Sequence, residues 1–321
     1  MSFKPIIIVA GEPNSIFLEI LFKSIKKIKI KSPIILICSK KLFLLQMKAL
    51  NANVKFNPIT FKDILKKKTQ KKIINLLDVN LKVNKAFGQI SKKSNIYIND
   101  CFKIGLELIK KNISKKLING PISKKHFLNG KHLGITEYLS KKTNSKKSVM
   151  LIYNKLLSVC PITTHLPVRN VSKSINKNDI LQSIILINNF YKNTFKLKPK
   201  IAVTGLNPHC ETTSKINEDD KIIKPTIQKL AKSGIKISGP YPADTIFIKK
   251  NRDKFNIIVG MYHDQVLTPM KTLFEYDAIN ITLGLPFTRI SPDHGPNEKM
   301  IGKNLSNPLS LIKAISFLDK N

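Results

Sequence analysis

Pro5-Ile6-Ile7-Ile8-Val9-Ala10 is an unbroken apolar run that stops at Gly11-Glu12-Pro13, and Ser15 to Ile25 then carries apolar side chains at helical spacing. Ile34-Ile35-Leu36-Ile37-Cys38 repeats the run, and a second helical pattern follows near Lys41 to Leu50. Strands that are apolar at every position are covered on both faces, and helices between them supply the cover, so this stretch predicts βαβ organisation. The same alternation continues. Strands are expected at Lys116 to Asn119, Val149 to Tyr153, Ile201 to Thr204, Ile257 to Gly260 and Ile279 to Thr282, with helices at Asp100 to Asn112, Asp179 to Tyr191 and Glu218 to Ser233. Asn178-Asp179 and Asn217-Glu218 offer capping side chains and early acidic residues to two of those helices. Lys62 to Ser94 is polar and lysine-rich, and reads either as a mobile insertion or as a pair of surface helices.

At 321 residues the chain predicts two compact lobes rather than one. Hydrophobic residues make up 42% of it, enough for real cores, yet no stretch reaches the roughly 18 apolar residues of a membrane span. The N-terminus runs into the first strand without a cleavable signal pattern, so a cytoplasmic location and no membrane partner are expected. Cys38, Cys101, Cys160 and Cys210 are scattered, which argues against a disulfide framework or a thiolate zinc site.

The formal charge is +36, from 56 basic and 20 acidic residues. Nucleic-acid readers favour the guanidinium fork, however, and only Arg169, Arg252 and Arg289 carry one here. Lysines are spread along the whole chain as solvated surface, so no nucleic-acid partner is expected. A positive field would still draw in an anionic substrate. Gly11-Glu12-Pro13-Asn14-Ser15 is not GxGxxG and no GxxxxGK[ST] occurs, which leaves any nucleotide to bind by another arrangement.

Three histidines follow strand-like segments: His165 in Thr163-Thr164-His165-Leu166-Pro167, His209 in Asn207-Pro208-His209, and His263 in Met261-Tyr262-His263-Asp264-Gln265. Ligands in α/β proteins collect at the carboxyl ends of strands. Three imidazoles there read as a divalent metal site with positions open to substrate. A loop histidine taken singly is as well explained by ordinary hydrogen bonding, and no i, i+4 spacing joins any two of these. Cys210 adjoins His209, but on extended chain the two would point to opposite sides.

The ordered segments Gly11-Glu12-Pro13, Asn119-Gly120-Pro121-Ile122-Ser123-Lys124, Gly134 with Thr136-Glu137, Thr163 to Pro167, Gly205 to His209, Pro242-Ala243-Asp244-Thr245, Met261 to Gln265, Asn280 to Arg289 and Asp293-His294-Gly295 cover nearly the whole chain. Together they resemble the 4-hydroxythreonine-4-phosphate dehydrogenase family of pyridoxal phosphate biosynthesis. The resemblance implies a two-lobed α/β fold like that of isocitrate and isopropylmalate dehydrogenases, with the active site in the cleft between lobes. The lobes would be residues 1–125 plus 300–321 and residues 126–299, the second carrying the metal and substrate residues and the dimer contacts. It also implies a homodimer with a shared active site, NAD or NADP, and one divalent metal per site (Zn, Mg or Co). The reaction would be oxidation of 4-phosphohydroxy-L-threonine followed by decarboxylation to 3-amino-2-oxopropyl phosphate.

Position by position, the resemblance makes His165, His209 and His263 the metal ligands. It makes Thr136, Lys271, Asn280 and Arg289 substrate-binding, with His294 and Gly295 on the cofactor loop. A lysine and one of three arginines suit a substrate with two anionic groups, although Arg289 could instead be a surface ion pair. Asp244, Asp264 and Lys271 are the candidates for catalytic proton handling. Asp264 could equally accept the spare N–H of a ligand histidine, and Asp244 could merely close an Asx turn after Pro242.

Departures from the family pattern bear on specificity. Ile135 stands where the family usually has a substrate-binding histidine, Cys210-Glu211-Thr212-Thr213-Ser214 replaces a glycine-rich stretch, and His294-Gly295-Pro296-Asn297 replaces His-Gly-Thr-Ala. Ile135 therefore leaves open a paralogue that oxidises threonate or erythronate 4-phosphate. A non-catalytic nucleic-acid-binding protein on the same fold is a third reading, against which stands the retention of all three histidines with Lys271 and Arg289.

Overall fold

A computed structural model describes residues 3–128, 134–213, 217–292 and 294–320. Among these residues twelve strands form, β1 Ile6–Val9, β2 Ile34–Cys38, β3 Phe56–Ile59, β4 Ile74–Asp78, β5 Lys116–Asn119, β6 Val149–Tyr153, β7 Ser158–Pro161, β8 Ile201–Thr204, β9 Ile237–Tyr241, β10 Ile257–Gly260, β11 Ile279–Leu283 and β12 Thr288–Pro292. The chain divides into two units, residues 1–143 with 285–321, and residues 144–284.

The first unit holds the parallel order β3-β4-β2-β1-β5-β12. β1 and β2 are buried at every position, and the helix Asn95–Lys110 packs on them with Tyr97, Ile98, Cys101 and Phe102 turned inward. Continuous isoleucine and valine runs demand such two-sided cover, which is why the opening βαβ reading holds. The order reverses direction at β1, with β2 on one side and β5 on the other. Two glycines let the loops leaving that point pass each other. A Cβ on Gly11 would lie 2.4 Å from the Pro121 carbonyl oxygen, and one on Gly120 would lie 2.0 Å from that of Ala10.

In the second unit the order is β11-β6-β7-β10-β8-β9. β7, β10, β8 and β9 run parallel, while β6 is antiparallel to both of its neighbours. Its core gathers Ile152, Val159, Ala202, Ile258, Val266 and Met270, the last two from the helix His263–Phe274.

Three expectations need correction. Lys62 to Ser94 is neither an insertion nor a helix pair, because it contains β4, an inner strand between β3 and β2. Lysines flank the short Ile74-Asn75-Leu76-Leu77 run. Its buried Asn75 disguises it further, though that amide is satisfied by donating to the carbonyls of Ile34 and Gln70. The units also meet at 143/144 and 284/285 rather than at 125/126 and 299/300. The helix Ile135–Lys142 buries Tyr138 and Leu139 in the first core, and β12 pairs with β5, so Thr136 and Arg289 belong to the first unit. Finally, Asn176 rather than Asn178 caps the helix Lys177–Phe195, its side chain accepting from the Asp179 amide at 2.9 Å.

No helix among the described residues is long and apolar enough to cross a membrane.

Candidate functional site

The second unit's parallel strands all point their carboxyl ends the same way, and each leads into a segment marked by the sequence. β7 leads to His165, β10 to His263, β8 to His209 and β9 to Asp244, so the order β7-β10-β8-β9 brings the segments that carry them to the same edge of the sheet. Backbone and side-chain bonds fix the spacing. The Thr163 hydroxyl and amide both donate to the Met261 carbonyl, at 2.8 and 3.1 Å, tying the His165 loop to the His263 loop.

Gln265 performs the same task on the other side. Its Oε1 accepts from the Met261 amide at 2.7 Å and from the Thr204 hydroxyl at 2.8 Å, while its Nε2 donates to the Gly205 carbonyl at 2.8 Å. Beyond it, the fully buried Asp219 accepts from the amides of Leu206 and Asn207 and from the Asn207 side chain. Gln265 and Asp219 are absent from the expected site residues. Gln265 lies inside the quoted Met261-to-Gln265 segment, but its role depends on strand order, and nothing in the sequence marks Asp219.

The rings of His165 and His263 lie with centroids 6.0 Å apart, tilted by 37°. Two imidazoles bound tetrahedrally to one cation at about 2.0–2.1 Å have centroids about 5 Å apart, so these rings would close by about 1 Å to share a divalent ion. His263 Nδ1 lies 2.6 Å from Asp264 Oδ1. A carboxylate accepts, so Nδ1 is the donor in this bond, and Nε2 is the ring nitrogen not used by it. This is the orienting role open to Asp264 on sequence grounds. His209 sits apart from that arrangement in an exposed turn, Pro208–Cys210, with φ 56° and ψ 12°. Among the described residues no three His, Cys, Asp or Glu side chains close on one point. Cys210 is in the same turn rather than on extended chain, with φ 63°.

Asp244 and Asp264 line one hollow of about 540 Å³, together with Tyr262, Gln265 and Thr268. Asp244 lies in the first turn of the short helix Ala243–Ile246, exposed toward solvent. Lys271 lies two turns beyond His263 on the helix His263–Phe274, and burial lowers its pKa from the ordinary lysine value. Asn280, on β11, has a buried Oδ1 with no hydrogen-bond partner among the described residues.

In the first unit, Arg289 on β12 is 1% exposed, which excludes the surface ion pair. Its Nε donates to Asn119 Oδ1 at 2.6 Å. Burial lowers its pKa to about 10, and the Glu137 carboxylate opposes that shift. Thr136 is half-buried in the first turn of the helix Ile135–Lys142, and its neighbour Ile135 packs against the first core. His294 Nδ1 lies 3.0 Å from the Gly295 carbonyl, and a Cβ on Gly295 would meet nothing within 4 Å. Asp293, Ser214 and residues 129–133 lie outside the described residues.

The model of the family described as pyridoxal phosphate biosynthetic protein PdxA matches residues 29–318. The chain belongs to this family. The PdxA assignment agrees with relatives along the full length. The 4-hydroxythreonine-4-phosphate dehydrogenase of Sulfurihydrogenibium sp. (strain YO3AOP1) is 38% identical over 315 residues, covering 96% of this chain and 95% of the relative. The D-threonate 4-phosphate dehydrogenase of Salmonella typhimurium (strain LT2) is 30% identical over 302 residues, covering 92% of each. The crystal structure of 4-hydroxythreonine-4-phosphate dehydrogenase from Klebsiella pneumoniae superposes with a TM-score of 0.84 at 27% identity, over 98% of this chain and 97% of that one. Isocitrate dehydrogenase from Methylococcus capsulatus, at 10% identity and a TM-score of 0.51, shares the fold. The PdxA-family protein is thus a dehydrogenase, with the α/β architecture its sequence implied.

Proposed function

We propose that the protein oxidises and decarboxylates 4-phosphohydroxy-L-threonine to 3-amino-2-oxopropyl phosphate, using NAD or NADP and one divalent metal (Zn, Mg or Co), as a homodimer. The observation that carries this reading is the His165–His263 pair, with Asp264 engaging Nδ1 of the His263 ring. His165 and His263 would hold the cation, with His209 as third ligand from the adjacent loop. A cation held there would supply positive charge beside the substrate hydroxyl, favouring the charges that develop on its oxygen during the reaction. The nicotinamide would supply the hydride acceptor, with His294 and Gly295 on the loop that would hold it.

The remaining work falls to this chain's side chains. Thr136, Lys271, Asn280 and Arg289 bind the substrate, Arg289 and Lys271 meeting its anionic groups and Asn280 offering its buried acceptor to a donor such as the ammonium. Asp264 is already engaged by His263, which leaves Asp244 on the same hollow to take up the hydroxyl proton. Lys271, whose pKa burial lowers, is suited to return a proton to the enolate carbon.

Ile135 favours a second reading, oxidation of D-threonate 4-phosphate, because an isoleucine packed toward the core offers no polar contact to the substrate. The Salmonella relative named for that substrate supports it. NADH formation by the purified protein with added metal distinguishes the two. Turnover of 4-phosphohydroxy-L-threonine, lowered at least a hundredfold in His263→Ala, is the expected result. Turnover of threonate 4-phosphate alone establishes the second reading, and turnover of neither removes both.

A further inference from the structure

A second hollow, of about 450 Å³, lies wholly within the first unit. The end of the helix Phe17–Lys27, the chain leading into β2 and the chain leading into β4 form its walls. It therefore opens at the amino ends of these parallel strands, away from the carboxyl ends where the loops of Gly11 and Gly120 leave the sheet. Five isoleucines line it, and four of them, Ile25, Ile28, Ile30 and Ile73, are only half-buried. So much apolar surface left open to water in one place marks a binding surface more often than chance. The walls are fixed before any ligand arrives. Ile34 is held in register with Ile6 and Ile74, and Asp319 accepts from the amides of Lys31 and Ser32 at 3.1 and 2.7 Å, tying down the chain that enters β2. Branching at Cβ also keeps isoleucine side chains from folding into the space.

Charge narrows the choice of occupant. The two charged residues that line the hollow are Lys29 and Lys72, both exposed, and no carboxylate lines it. A lysine carries its ammonium on a flexible four-carbon stem, so both can swing across the mouth to an anion. No arginine fork is present to grip a phosphate, and the amides of Lys31 and Ser32 are taken by Asp319. The volume falls within the range of about 300–1,000 Å³ typical of small-molecule pockets and suits one alkyl chain. We propose that this hollow binds a medium-chain fatty-acid carboxylate, its chain among the isoleucines and its carboxylate against Lys29 and Lys72.

Isothermal titration calorimetry of the full-length protein with decanoate, kept below its micelle-forming concentration, tests this. Saturable binding of one decanoate per chain is expected, with Kd falling about threefold for each methylene added from hexanoate upward. Decanol, with the same chain and no charge, should bind about tenfold more weakly. Reversing both lining charges, Lys29→Glu with Lys72→Glu, is expected to weaken decanoate binding about tenfold. The exposed pair Lys229→Glu with Lys232→Glu, in the second unit, changes the net charge by the same amount and should leave Kd within about twofold. Thermal melting checks that each variant is folded, and the series of chain lengths tests the hollow without any substitution. Three results overturn the proposal: no saturable binding, decanol bound as tightly as decanoate, or equal weakening by the two lysine pairs, which would reduce the effect to general attraction toward a basic surface.

Discussion

Glu12 is the residue whose surroundings conflict most with its charge. It follows β1, is 2% exposed, and has one carboxyl oxygen with no hydrogen-bond partner among the described residues. Burial pushes its pKa up to about 7. The Asn14 amide and Ser94 hydroxyl, both 3.2 Å from Oε1, pull the other way, and the charge of Glu298 adds a little to the rise. A carboxyl with a raised folded-state pKa favours folding while protonated. That contribution is complete below about 4.5 and is lost as pH rises through 7. The loss amounts to about 3 kcal/mol. Glu12→Gln is therefore expected to stabilise the protein at pH 8.5 and to leave it nearly unchanged at pH 4.5, as read by urea unfolding at the two pH values. Equal effects at both would show that the carboxyl does not titrate in this range.

At the scale of elements, the site depends on loops emerging from parallel strands, and those strands must come close. Gly120 is the tightest such point, because an added Cβ would sit 2.0 Å from the Ala10 carbonyl and 2.7 Å from the Phe17 ring. A backbone oxygen cannot move aside as a side-chain end can. Gly120→Ala should therefore cost about 3 kcal/mol or more, above the usual range for overpacking. Gly234→Ala, which meets nothing within 4 Å, serves as a comparison whose cost is limited to its backbone angle of φ 83°. Denaturant midpoints that fall equally for both would refute the clash.

Elements also show where the sequence could be read and where it could not. Apolar runs of four or five residues at β1, β2, β6, β8 and β10 announced themselves because both faces of each strand are covered. Edge strands did not. β3 carries Pro58 and β9 carries Gly239-Pro240, residues that read as turns, and an edge strand tolerates them because one of its sides makes no ladder bonds. β12 is hidden for another reason: in Thr288-Arg289-Ile290-Ser291-Pro292 a buried arginine replaces the apolar run that marks the other inner strands.

For the whole molecule the dominant quantity is the net charge of +36. Long-range attraction of an anionic substrate is screened beyond about 8–10 Å at physiological salt. kcat/KM is accordingly expected to fall several-fold between about 20 and 300 mM NaCl while kcat changes little, measured by steady-state NADH formation. A flat profile would mean that the lysines influence solubility alone.

The sequence by itself determined the fold class and the family. Buried strands and ordered loop segments are local patterns, and a run such as Ile6-Ile7-Ile8-Val9 has few other places to go than the middle of a sheet. It determined, too, which residues stand at the strand ends, because His165, His209, His263 and Asp244 each follow an apolar run or a Pro-marked turn. Only the tertiary structure decided how those residues meet. Strand order set His263 beside His165, while an αL turn held His209 outside the pair. It also decided that Arg289 is buried against Asn119, a residue 170 positions away. Such pairings depend on which strands lie adjacent, and adjacency is a property of the packed sheet that no local stretch of chain encodes.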